Sequence, residues 1–177
     1  MVRLFQKEFE EKVLELGYSF HNNQEGLYIL YDKCNSNHLI KSQLLVSQRT
    51  NKMIHGSRNG TYIQSIGLFE FTFPTFDQEP DFTIFTFRNR IKNLSEYIIV
   101  PEVELKWRLK RTLTVKELQK LLEIKFWLMP DDSLYDATNI SPEGEWYLLS
   151  QGLGGRMADG TDMDYTPFLN SWDRLKF

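Results

Sequence analysis

The sequence contains very little cysteine and no long apolar run. Cys34 is the single cysteine among 177 residues, so no internal disulfide can form, and the chain differs from small secreted disulfide scaffolds. No stretch approaches the roughly 20 apolar residues that a membrane-spanning helix needs. Its start is too acidic for a signal or transit peptide. We therefore expect a cytoplasmic protein without a membrane partner.

Signatures of zinc, nucleotide and calcium sites are missing as well. The three histidines do not have the spacing of zinc ligands. The glycine-rich residues 152–160 lack the Gly-Lys-Ser/Thr of a P-loop. Asp159, Asp162 and Asp164 miss the spacing of an EF-hand, which favours a solvated turn.

Acidic residues are absent from residues 33–69, although the net charge of the whole chain is -3. That stretch carries five basic residues: Lys33, Lys41, Arg49, Lys52 and Arg58. Residues 131–177 have the opposite balance, with nine acids against three bases. The basic stretch could contact phosphates, or it could pack against the acidic third of its own or a partner chain.

The composition predicts one domain that spans residues 1–177, because a chain of this length with 41% hydrophobic residues can bury roughly two-thirds of its unfolded surface. Phe5, Phe9 and Val13 form one stripe at helical spacing, and Gly17 is a natural stop. This pattern predicts a first helix.

Short aromatic and β-branched segments predict a set of strands. They are residues 26–32, 38–46, 66–73, 81–87, 96–100, 124–130 and 134–138. Asn59-Gly60 predicts a protruding basic hairpin between the second and third of them. Further helices are expected from the capping box Thr114–Glu117 and from residues 141–143. The fold class is therefore α/β (α+β), a single mixed β-sheet flanked by helices.

Residues 100–110, "VPEVELKWRLK", allow two interpretations. As a strand, they place Glu104 and Lys106 on one face. If residues 81–87 and the following strand form a hairpin whose paired numbers sum to 185, Asp81 then lies opposite Glu104.

As a helix, the same residues separate these groups. Pro101 cannot donate in an inner strand and suits the first position of a helix. Glu102 and Lys106, like Glu104 and Arg108, have the spacing of helical ion pairs. Glu104 and Lys106 would then lie about 200° apart around the helix axis.

Pro80-Asp81 and Glu104-Leu105-Lys106 together resemble the PD-(D/E)xK restriction-endonuclease-like superfamily. The resemblance implies a restriction-endonuclease-like core and Mg²⁺-dependent hydrolysis of nucleic acid. Asp81 and Glu104 would be the metal ligands, and Lys106 would orient the attacking water. These roles require residues 101–108 to be extended.

A second alignment with the same superfamily moves the catalytic strands upstream. In many of its domains, a strand ending in Ile/Val-Pro enters a helix after the catalytic hairpin, as "EYIIVP" does here. Residues 26–32 and 38–46 would then take the catalytic positions, with Asp32 as a single acid and no acid-x-Lys. This alignment implies a degenerate member without the metal site.

Two functions follow from these patterns. The first is a nuclease-like or nucleic-acid-binding protein, in which Lys41, Arg49, Lys52 and Arg58 contact phosphates and Tyr62 stacks on a base. The second is a non-catalytic interaction domain whose acidic C-terminal third meets the basic surface of a protein partner or the basic hairpin of another copy of the chain.

Overall fold

The computed structural model describes residues 2–22, 26–33, 39–48, 65–72, 79–89, 91–112, 121–138 and 164–175. Within them lie two α-helices, α1 (Val2–Glu15) and α2 (Glu102–Thr112). The strands are β1 (Tyr18–Asn22), β2 (Leu27–Asp32), β3 (Leu39–Val46), β4 (Ser65–Phe71), β5 (Phe82–Asn89), β6 (Leu94–Pro101), β7 (Leu122–Leu128) and β8 (Leu134–Asp136). Two short 3₁₀-helices, Thr166–Phe168 and Trp172–Leu175, follow them.

The strands form two sheets. Five of them make a mixed sheet in the order β1-β2-β3-β5-β6, in which β3 and β5 are parallel and the other neighbours antiparallel. The remaining three make an antiparallel sheet in the order β4-β7-β8. The predicted α+β class, with a mixed sheet flanked by helices, is confirmed. The structure adds the second, smaller sheet.

Helix α1 covers one face of the five-stranded sheet. Its stripe of Phe5, Phe9 and Val13 is buried, as the sequence pattern predicts. Phe9 and Val13 pack in one cluster with Tyr28 of β2 and Ile40 of β3. The Phe9 ring meets the Tyr28 ring edge-on, with their centroids 4.9 Å apart. Burial of these apolar side chains holds α1 on the sheet.

The three-stranded sheet and α2 cover the opposite face, but mainly over β5 and β6. Phe85 of β5 packs edge-on against Phe126 of β7, with ring centroids 5.3 Å apart. Leu105 of α2 is buried in the same cluster as Ile98 of β6. Among the described residues of β1, β2 and β3, Leu45 is the one that packs against this cluster. Most of that half of the sheet therefore keeps an accessible face.

The β5–β6 hairpin forms, but its register differs from the predicted one. Phe82 pairs with Pro101 and Thr83 with Val100, so paired numbers sum to 183. The predicted opposition of Asp81 and Glu104, which needs a sum of 185, is therefore wrong.

The turn of this hairpin gives the physical reason for the register. The side-chain oxygen of Asn89 accepts hydrogen bonds from the backbone N–H groups of Ile91 and Lys92, at 3.2 and 3.1 Å. Asn93 adopts a positive φ of 51°, which asparagine tolerates better than most residues. These local hydrogen bonds place the centre of the hairpin one residue earlier in the chain than the predicted sum of 185 requires.

Residues 102–112 are helical, so the helix alternative for this segment is confirmed and the extended alternative is wrong. Strand β6 ends at Pro101, which has no N–H to donate. The next N–H, that of Glu102, donates to the Asp81 carbonyl at 2.9 Å. Glu102 and Glu104 then occupy the first helical turn, where the helix dipole favours acids.

Several predicted elements lie outside the described residues. These are the tip of the basic hairpin at Asn59-Gly60 and the helices expected from Thr114 and from residues 141–143. The strands expected on either side of that tip, β3 and β4, lie in different sheets, although the Gln48 N–H donates to the Leu68 carbonyl at 3.0 Å. Neither described helix is long and apolar enough to cross a membrane.

Two alanine substitutions test the helical state of residues 102–112. Leu105 is fully buried, whereas Val103 is 83% exposed. We expect Leu105→Ala to lower the free energy of unfolding by about 2–5 kcal/mol. Val103→Ala should change it by less than about 0.5 kcal/mol. Urea denaturation measures both. Similar losses in the two variants would contradict the helix, because a strand would place both side chains on one face.

Candidate functional site

The accessible part of the five-stranded sheet is called the open face, and it is formed by alternate side chains of β1, β2 and β3. Its residues are Ser19, His21, Leu27, Ile29, Tyr31, Leu39, Lys41 and Gln43. Leu39 is 44% exposed, His21 and Lys41 are exposed, and Ile29 and Tyr31 are half-buried. The alternate residues of the same strands point towards α1. The open face is therefore a solvent-accessible surface of mixed apolar, aromatic and basic character.

Lys41 lies near the middle of the open face. It pairs with Ile29 of β2, which in turn pairs with His21 of β1. On its other side, the Lys41 N–H donates to the Asp81 side-chain Oδ2 at 2.8 Å, and the Asp81 N–H donates to the Lys41 carbonyl at 2.8 Å. The backbone of Lys41 is thus fixed between two strands while its side chain remains exposed.

Tyr31 occupies the neighbouring row of the open face. It pairs with Ser19 of β1 and with Leu39 of β3. Lys33, exposed directly after β2, donates its backbone N–H to the Gly17 carbonyl at 3.2 Å. The row therefore combines an aromatic ring with an accessible apolar side chain, next to a second exposed base.

The three predicted catalytic residues each have a different partner. Glu104 forms an ion pair with Arg108, with 2.8 Å between Oε1 and Nε. Lys106 forms an ion pair with Glu79, and Asp81 accepts from the Lys41 backbone. Because the helix separates Glu104 and Lys106 by about 200°, they cannot act on one phosphate together. The condition for this catalytic set, an extended chain over residues 101–108, is not met.

The predicted Mg²⁺ ligands, Asp81 and Glu104, each have another partner, since Asp81 accepts from the Lys41 N–H and Glu104 pairs with Arg108. In the part of the chain that the structure describes, no three His, Cys, Asp or Glu side chains lie close enough together to hold a metal ion. A magnesium site at Asp81 and Glu104 stays a prediction.

A cleft of about 650 Å³ lies where β6 enters α2, and it is lined in part by Glu79, Asp81, Glu102 and Arg174. Glu102 is the buried member, at 3% exposure. The Thr83 hydroxyl donates to its Oε2 at 2.7 Å. Burial raises the pKa of Glu102, and the Thr83 hydrogen bond partly offsets that rise.

Lys106 connects two of the three acids of this cleft, Glu79 and Glu102. Its ammonium group contacts Glu79 and lies 3.9 Å from Oε1 of Glu102. Within the described residues, Oε1 of Glu102 has no hydrogen-bond partner. From the sequence, Glu102 is expected only as half of an ion pair with Lys106. Its burial could not be predicted, because it depends on the register that sets Glu102 beside Asp81.

The remaining predicted nucleic-acid contacts, Arg49, Lys52, Arg58 and Tyr62, lie outside the described residues. Lys41 is the member of that set that the structure places, and it lies on the open face.

No family model, curated protein or solved structure matches this sequence. The function of the chain is therefore inferred from its own residues and geometry.

The buried carboxyl of Glu102 makes stability depend on pH. Its pKa in the folded protein is raised above the ordinary value of 4.5, so the native state holds this proton to higher pH than the unfolded chain. Stability is therefore lost as pH rises from about 4.5 through the raised pKa. Glu102→Gln removes this loss, and we expect the variant to gain stability relative to the wild type across that window.

Urea denaturation between pH 4 and 8 measures this difference. The matched control is Asp173→Asn, since Asp173 is exposed. A difference between Glu102→Gln and the wild type that stays constant with pH would show that Glu102 does not carry the raised pKa.

Proposed function

We propose that this chain is a nucleic-acid-binding domain that contacts phosphates through the open face and the basic stretch that contains β3. The observation that carries the proposal is the position of Lys41. Its side chain is exposed near the middle of a sheet face, within residues 33–69 that include five bases and no acid. Cys34 as the single cysteine supports a reducing, cytoplasmic location.

Electrostatics supports an anionic partner for this surface. Each lysine or arginine that neutralises a phosphate releases condensed counterions, so a locally acid-free surface gains affinity from every base. Arg49, Lys52 and Arg58 follow β3 in the same stretch. Residues 33–69 carry a charge of +5 although the net charge of the whole chain is -3. Because screening limits interactions between exposed charges to about 10 Å, acids elsewhere in the chain oppose these bases only where they lie within that distance.

The resemblance to restriction-endonuclease-like proteins supports the proposal in its second alignment. That alignment requires a strand ending at a proline that leads into a helix, and β6 does end at Pro101 before α2. Strands β2 and β3 would then take the catalytic positions. Asp32 alternates with Tyr28 and Leu30 and so faces α1, away from Lys41. We propose a degenerate member that binds nucleic acid without hydrolysing it.

Binding to fluorescein-labelled oligonucleotides, followed by anisotropy between 50 and 200 mM salt, tests the function. The logarithm of the binding constant should fall linearly with the logarithm of salt concentration. Lys41→Gln should weaken binding and reduce the magnitude of that slope by about one, and Lys52→Ala should do the same. The matched control is Lys7→Gln, because Lys7 is exposed on α1, on the opposite face of the sheet.

A protein that binds neither DNA nor RNA at 50 mM salt would overturn the proposal and favour the protein-interaction alternative.

Incubation of the same complexes with Mg²⁺ or Mn²⁺ adds a second readout. We expect no cleavage above the protein-free background. Cleavage that is lost in Lys106→Ala would contradict the non-hydrolytic assignment, since it would require Lys106 to leave Glu79 and reach a phosphate.

A further inference from the structure

The open face has more apolar and aromatic surface than phosphate binding requires. Leu39 is 44% exposed, and Ile29 and Tyr31 are half-buried on the same side of the sheet. Lysines alone would supply the electrostatic attraction. Accessible rings and aliphatic side chains on a flat sheet also offer a platform against which a planar group can pack.

We propose that the open face binds single-stranded nucleic acid, with an unpaired base stacked on Tyr31 and a backbone phosphate at Lys41. The inference rests on the proposed function and adds the class of nucleic acid that the surface selects. It also assigns a stacking role to Tyr31, in addition to Tyr62 in the basic stretch.

The register places the two groups at a suitable separation. Lys41 of β3 lies directly opposite Ile29 of β2, and Tyr31 is two residues further along β2. Diagonal neighbours of this kind on adjacent strands are about 7–8 Å apart. The Tyr31 ring and the Lys41 ammonium group can therefore contact neighbouring nucleotides of one nucleic-acid strand. Leu39, directly opposite Tyr31, extends the apolar surface beside the ring.

The shape and composition of the open face favour a single strand over a duplex. In a duplex the faces of the bases are stacked on one another, and only their edges are accessible in the grooves. An unpaired strand exposes its base faces, which stack on aromatic side chains of a sheet. Tyr31 and Leu39 lie opposite each other on a sheet face, which offers a surface for stacking rather than an element that enters a groove.

The bases around the open face favour an anionic partner, and the Tyr31 ring favours a nucleic acid over an acidic protein. The nearest described acid in the row of Lys41 is Asp81, whose Oδ2 already accepts the Lys41 N–H. Exposed Lys33 adds a second base beside Tyr31. An acidic peptide would match these bases, but it lacks the planar bases that would fit the surface around Tyr31.

Anisotropy titrations with a 20-nucleotide oligothymidine and with a 20-base-pair duplex test the inference. The wild type should bind the single strand more tightly than the duplex at equal salt. Tyr31→Leu keeps an apolar side chain but removes the ring, and it should weaken single-strand binding by about 5-fold or more while leaving duplex binding unchanged. Tyr31→Phe keeps the ring and should restore the wild-type affinity. Circular dichroism confirms that each variant is folded.

The outcomes separate the inference from the proposed function. If Lys41→Gln weakens binding but Tyr31→Leu has no effect, or if the duplex binds as tightly as the single strand, phosphate binding stands and the stacking inference fails. If neither oligonucleotide binds at 50 mM salt, both fail. Displacement of the oligothymidine by an equal charge of polyglutamate would also overturn the inference, because it would show that charge alone selects the partner.

Discussion

The conversion of β6 into α2 at Pro101 is the constraint on which the arrangement of charges depends. Proline has no N–H with which to continue a ladder. The following N–H, from Glu102, instead bonds to the Asp81 carbonyl. From that point the helical repeat directs Glu104 to Arg108 and Lys106 to Glu79. The helix therefore places these charges in ion pairs, and residues 101–108 are not extended as the predicted catalytic set requires.

The same junction also determines which part of the sheet stays accessible. Helix α2 and the three-stranded sheet bury their apolar side chains over β5 and β6, where Phe85 and Ile98 are fully buried. Helix α1 covers the other face through Phe9 and Val13. The β1–β3 half therefore has one covered face and one open face. Antiparallel strands with one covered face typically alternate apolar and polar side chains, and the Lys41 side chain is exposed on the uncovered face.

Much of the fold could be predicted from local patterns, because helix α1 follows the period of 3.6 and β3 the alternation of a half-buried strand, while β5 and β6 are short apolar runs buried on both faces. Strand β1 was missed, since "YSFHN" is short and polar and becomes a strand only by pairing with β2. The predicted register of the β5–β6 hairpin was wrong because the Asn89 side chain accepts a hydrogen bond from the backbone of the turn. For the candidate site, the acid-free residues 33–69 predict Lys41 as a phosphate contact, and this assignment stays a prediction. The open face was not predicted, since it depends on which strands the second sheet covers.

The central claim is that nucleic acid binds the open face and not the cleft at the start of α2. Amide chemical-shift mapping of the 21.0 kDa protein during titration with oligothymidine tests it most directly. The account predicts that shifts concentrate at Ile29, Tyr31 and Lys41 on β2 and β3, while Val103 and Glu104 of α2 stay unchanged. Shifts confined to the first turn of α2, with β2 and β3 unaffected, would contradict it.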